Sequence, residues 1–89
     1  MYRIEVEAQA RKALARLPRP DQGRIEAAID ALAADPRPAG YVPIKDAPKG
    51  TCRIRVGDYR VIYLVLDSDQ VIIVARVARR NESTYRDLD

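Results

Sequence analysis

The sequence predicts an α+β fold in which an N-terminal strand and a two-helix hairpin precede a three-stranded antiparallel meander, with all the strands in one sheet. Three observations carry this expectation. Tyr2, Ile4 and Val6 alternate with Arg3 and Glu5, the period of a half-buried strand. Ala10, Ala13, Leu14 and Leu17, then Ile25, Ala28, Ile29 and Leu32, recur at helical spacing. From Thr51 onward, runs rich in β-branched residues are separated only by short turn-forming stretches.

Taken in order, the first helix should stop at Pro18 and Pro20, because proline lacks the amide that a helix interior needs. Asp21 is the expected N-cap of the second helix. Residues 35–50 contain Pro36, Pro38, Pro43 and Pro48 with Gly40 and Gly50, a density that allows neither a helix nor a central strand. Tyr41, Val42 and Ile44 are where this loop should touch the core. Thr51–Val56 and Tyr59–Leu66 read as a hairpin whose turn is Gly57 and Asp58, with glycine supplying a positive φ at the first turn position. That turn sets Val56 opposite Tyr59, Arg55 opposite Arg60 and Ile54 opposite Val61. Tyr59, Val61 and Tyr63 then belong to the core, together with Cys52 and Ile54. After a turn at 67–70, residues 71–78 are apolar except for Arg76, as in a central strand covered on both faces. The tail RRNESTYRDLD is polar, and Asn81 or Ser83 would cap at most one helical turn.

Residues 1–89 are read as a single domain, a length that buries only about 60% of the unfolded surface. Sixteen Lys and Arg against 13 Asp and Glu give a net charge of +3, which suits an anionic partner. All seven basic residues of 51–89 are arginines, whose planar fork matches phosphate oxygens. A single cysteine, Cys52, rules out an intramolecular disulfide and fits a reducing compartment. With no histidine beside it, a dedicated transition-metal site is not expected, nor is any cofactor. No apolar run reaches membrane-spanning length and the N-terminus has no signal-peptide core, so the expectation is a soluble cytoplasmic protein with no membrane partner.

The hairpin places Arg53, Arg55 and Arg60 on one face of the sheet, turned away from the helices. Like charges directly opposite one another on a hairpin cost up to about 1 kcal/mol, so the Arg55 and Arg60 pair breaks a local rule. Such breaks concentrate at functional sites. With Lys45, Lys49, Arg79, Arg80 and Tyr85 flanking it, this face is suited to a polyanion, and tyrosine adds a surface for stacking a base of single-stranded RNA. Which of Arg79 and Arg80 joins Arg60 depends on register. A two-residue turn at Ser68 and Asp69 puts Arg60 opposite Val77 and Arg79 on its face; a bulge, or a loop one residue different, puts Arg80 there instead.

The segment RIRVGDYRVIYLVLDSDQVIIVARVARRNESTYR, together with the start YRIEVEAQARKALARLP, resembles the RelE/ParE superfamily of bacterial toxin-antitoxin toxins over essentially the whole chain. The resemblance implies a RelE-like toxin fold, a small cognate antitoxin that wraps the toxin, and one of two activities. The RelE branch cleaves messenger RNA on the ribosome and so inhibits translation; the ParE branch poisons DNA gyrase. On the RelE pattern, the basic pair before the turn falls on Arg53 and Arg55, the arginine after it on Arg60, the arginine ending the last strand on Arg80 with Arg79 the alternative, and the catalytic tyrosine on Tyr85.

The chemistry fits that assignment. Metal-independent RNA cleavage needs a base for the 2′-hydroxyl, charge stabilisation for the phosphorane and a proton for the 5′-oxygen. Without histidine, Tyr85 is the best candidate base, although ionising a phenol at neutral pH takes about 4 kcal/mol of help. Neighbouring guanidinium groups supply help of that kind. Some RelE enzymes carry lysine at the paired strand positions; Arg53 and Arg55 cannot readily release a proton and would stabilise charge instead.

Overall fold

A computed structural model describes residues 1–79. In chain order these form β1 (Arg3–Val6), α1 (Ala8–Ala15), α2 (Arg19–Ala31), β2 (Val42–Pro43), β3 (Thr51–Val56), β4 (Tyr59–Leu66) and β5 (Val71–Arg79). The five strands make one sheet in the order β1-β5-β4-β3-β2. β1 runs parallel to β5, and the other neighbours are antiparallel. The expected α+β layering is therefore present, with one strand more than the sequence suggested. That strand is β2, a two-residue edge strand containing Pro43, where the missing amide costs no central hydrogen bond. β5 is interior, as expected, while the middle position belongs to β4. No helix among the described residues is long and apolar enough to cross a membrane.

Both helices pack on one face of the sheet. Ala10 and Leu14 of α1, and Ile25 and Ile29 of α2, meet Cys52, Ile54, Tyr59, Val61, Tyr63, Val65, Ile72, Val74 and Val77 in one core. Tyr63 is completely buried, and its hydroxyl donates to the Pro36 carbonyl at 2.7 Å, tying the proline-rich loop to the centre of the sheet. Burial raises the ionisation of this phenol far above the ordinary tyrosine range, so it stays a neutral donor.

Two local expectations are corrected. Asp21 is not an N-cap: α2 begins at Arg19, with Pro20 in a first turn that tolerates proline, and Asp21 lies inside that turn. Of the loop residues, Tyr41 packs on the main core and Ile44 on the opposite side of the sheet, but Val42 is 39% exposed on the edge strand.

Gly50 precedes β3 with φ of +93°, and a Cβ built there would lie 2.6 Å from the Val65 carbonyl oxygen. The same glycine accepts the Val65 amide at 2.9 Å, so the two backbones are locked in close approach. Gly50→Ala should accordingly cost about 2 kcal/mol or more, read as a lowered denaturant midpoint with little change in slope. An unchanged midpoint would mean that the loop relaxes freely there.

Candidate nucleic-acid interface

The hairpin turn places the arginines. Gly57 adopts φ of +58° and the pairing is Val56 with Tyr59, Arg55 with Arg60 and Ile54 with Val61, the register expected from the two-residue turn. Arg53, Arg55 and Arg60 thus project from the face of the sheet opposite the helices. Arg55 is exposed, whereas Arg53 and Arg60 are half-buried, and Arg60 Nε is out of contact with solvent. Beside them Ile62, Ala78 and Ile44 form a small second apolar cluster, so the proline-rich loop covers part of this face.

A β-bulge decides the contribution of β5. Near the 67–70 turn, Leu66 pairs with Val71 and Tyr63 with Val74; beyond the bulge, Ile62 pairs with Arg76 and Arg60 with Ala78. Ala75 is the extra residue, and everything after it is shifted by one. Two consequences follow for the basic residues.

Arg76 comes onto the arginine face. It lies directly across from Ile62, on the diagonal from Arg60, while Arg53 occupies the corresponding diagonal on β3. Arg60 therefore sits amid three other arginines: Arg55 opposite, and Arg53 and Arg76 at diagonal separations of about 7–8 Å between Cα atoms. In the sequence Arg76 stands out only as an interruption in an apolar strand; an arginine in a half-covered strand is the available signal.

Arg79 goes to the opposite face. It pairs with Tyr59, and its guanidinium lies 5.8 Å from the centroid of the Tyr59 ring, a cation–π arrangement on the helix side. The register that would have set Arg79 beside Arg60 is not adopted, because the bulge intervenes. Tyr59 in turn donates to Asp21 Oδ2 at 3.1 Å, and Arg24 also donates to that carboxylate. Arg24 first, then Tyr59, hold the Asp21 carboxyl below the usual range, with Arg79 adding to the effect. Lys45 and Lys49 are exposed on the connection from β2 to β3. Arg80 and Tyr85 lie outside the described residues.

Four guanidinium groups on a pleated surface offer many donors in fixed planes and no acceptor, an array complementary to phosphate oxygens. An anion bound among them would offset their mutual repulsion.

Comparison with known proteins gives a consistent picture. A family model described as ParE toxin of the type II toxin-antitoxin system, parDE, matches residues 4–84. A Methanocaldococcus jannaschii protein bearing the name toxin RelE1 is 32% identical over 88 residues, spanning 96% of each chain. Among solved structures, the archaeal RelE-RelB complex from Pyrococcus horikoshii contains a similar chain at 31% identity and a TM-score of 0.79, covering 92% of this chain and 98% of that one. The toxin-antitoxin complex RelBE2 from Mycobacterium tuberculosis contains another, at 25% identity and a TM-score of 0.77, covering 89% and 98%.

Proposed function

This chain belongs to the RelE/ParE superfamily of type II toxin-antitoxin toxins, and from that premise we propose that it is a RelE-like, metal-independent endoribonuclease that cleaves messenger RNA on the ribosome. The observation that supports this reading best is the placement of Arg60 amid Arg53, Arg55 and Arg76 on the face left by the helices. The scissile phosphate sits against this array. The 2′-oxygen forms a bond to phosphorus and gives its proton to a base, the phosphorus–5′-oxygen bond breaks, and the 5′-oxygen gains a proton. The products are a 2′,3′-cyclic phosphate and a 5′-hydroxyl. Arg53, Arg55 and Arg60 bear the charge that builds on the phosphorane, Arg80 supports the leaving oxygen, and Tyr85 takes the 2′-proton. Lys45 and Lys49 contact the flanking message.

A site this open positions substrate poorly by itself, so the ribosome supplies the alignment. Free RNA should be cut slowly. The partner that restrains the toxin is a cognate antitoxin, as in the RelE-RelB and RelBE2 assemblies of the relatives. The second reading, a gyrase inhibitor without nuclease activity, has the ParE description of the matching family in its favour.

Primer extension on a message in a reconstituted translation system separates the two. Cuts confined to ribosome-occupied codons, slowed about 100-fold by Tyr85→Phe, are expected for the nuclease. Intact message during a block of growth, with loss of gyrase supercoiling by the purified protein, would replace it with the gyrase reading.

A further inference from the structure

Asp21 lies on the helix side of the sheet, away from the arginine face, yet its carboxylate ties α2 to the tip of the hairpin that carries that face. It sits in the first turn of α2. Its Oδ1 accepts from the Arg24 guanidinium, and its Oδ2 accepts at 3.1 Å from the hydroxyl of Tyr59, the residue that follows the hairpin turn. Arg24 in turn lies against the turn itself: a Cβ built on Gly57 would be 3.6 Å from Arg24 Nη1. Arg79 pairs with Tyr59 across the strands and sets its guanidinium 5.8 Å from the Tyr59 ring centroid. The start of α2, the turn, the start of β4 and the end of β5 thus meet around one carboxylate. Arg24 and Tyr59 both hold that carboxyl below its usual range, so it is the ionised acceptor these donors need.

From this arrangement we infer that Asp21 is a positioning residue for RNA cleavage: through Tyr59 and Arg24 it holds the hairpin tip, and with it Arg55 and Arg60, without touching RNA itself. The inference rests on the nuclease reading above. Tyr59 and Arg60 are successive residues of β4 and point to opposite faces, so a fixed Tyr59 fixes the backbone from which Arg60 leaves. Arg55 and Arg60 stand one pair in from the turn, where few contacts hold a hairpin and their own repulsion works to open it. The neighbouring strand gives no help there. β2 pairs only with Cys52 and Arg53, which leaves the outer edge of 54–56 without a strand beside it among the described residues. A tether from the helix layer answers that need. The cluster also holds the end of β5, the point from which the chain continues to Arg80 and Tyr85. An acid in the first turn of a helix suits the dipole, but that effect requires neither the bond from Tyr59 nor the contact of Arg24 with the turn glycine.

The test joins two measurements on the full-length protein: steady-state cleavage of ribosome-bound message, and amide hydrogen exchange of the protein alone. Asp21→Ala should lower kcat about tenfold with KM within about twofold of wild type, since the arginines remain and only their alignment is lost. Exchange should quicken about tenfold at the hairpin tip, around Val56 and Tyr59, and stay as in wild type at Tyr63 and Val65. Tyr59→Phe should lower kcat to a similar degree, and adding it to Asp21→Ala should cost little more, as for two groups that act through one bond. Asp21→Asn keeps an acceptor for the hydroxyl and should recover most of the lost rate. Unchanged kcat and tip exchange in Asp21→Ala would overturn the inference. Faster exchange through the whole sheet would overturn it too, by making Asp21 a general stabiliser, as would fully additive losses in the double variant or no recovery in Asp21→Asn. Wild-type protein that cleaves no message sinks the nuclease reading, and the clamp on the arginine pair then stands or falls on tip exchange in Asp21→Ala.

Discussion

Replacing Arg60 with alanine should slow cleavage of ribosome-bound message by about 100-fold or more while the protein remains folded. Removing a single donor that stabilises a developing oxyanion typically costs a factor of about 100 to 1000 in rate. Arg60 is the arginine with the most neighbours of its own kind, facing Arg55 and diagonal to Arg53 and Arg76. On the proposed reading it is therefore the position from which one guanidinium would reinforce the others around a phosphate. Removing Arg60 also relieves the cross-strand repulsion with Arg55, which works against the loss of its stem beside Ile62 and Ala78. Arg60→Lys keeps the charge but not the two-pronged geometry, and should fall between wild type and alanine. Single-turnover cleavage measured beside thermal unfolding checks this. A near-normal rate for the alanine variant would move the site elsewhere on the face.

The largest stability effect is expected at Tyr63. Truncating a fully buried aromatic side chain costs about 3–5 kcal/mol, and a chain of 89 residues has roughly 4–13 kcal/mol in total. Tyr63→Ala should therefore leave the domain substantially unfolded or close to it at 37 °C. Tyr63→Phe keeps the ring and loses only the bond to the Pro36 carbonyl, a change of about 1 kcal/mol. Denaturant titration of the two variants separates ring packing from the loop tether. Equal losses would mean that the hydrogen bond, rather than the buried ring, holds this part of the core.

Most of the fold was legible because its signals are local. The alternation at Tyr2 to Val6, the helical spacing of Ile25 and Ile29, and the Gly57-Asp58 turn each fix a conformation with few neighbours involved, and the Arg55 and Arg60 pairing follows from the turn alone. What escaped depends on contacts distant in sequence. Asp21 looked like a cap, yet its carboxylate takes bonds from Arg24 and from Tyr59 on a strand far along the chain. The bulge at Ala75 leaves no mark in a run of apolar residues, since valine, isoleucine and alanine suit either register. Its effect is nonetheless large: Arg79 goes to the helix side and Arg76 to the arginine side. The roles proposed for Arg80 and Tyr85 rest on family resemblance, not on spacing.

The parallel pairing of β1 with β5 carries a consequence for how such a chain is made. Arg3 finds its partner at Val71, 68 positions later, so β1 has no partner strand among the described residues until β5 has been made. Contacts of such long span form slowly and late. The arginine face itself requires β3, β4 and β5 together. A nascent chain therefore lacks the assembled arginine face until nearly all of these strands have been made, so whatever that face binds meets it only after most of the chain is complete.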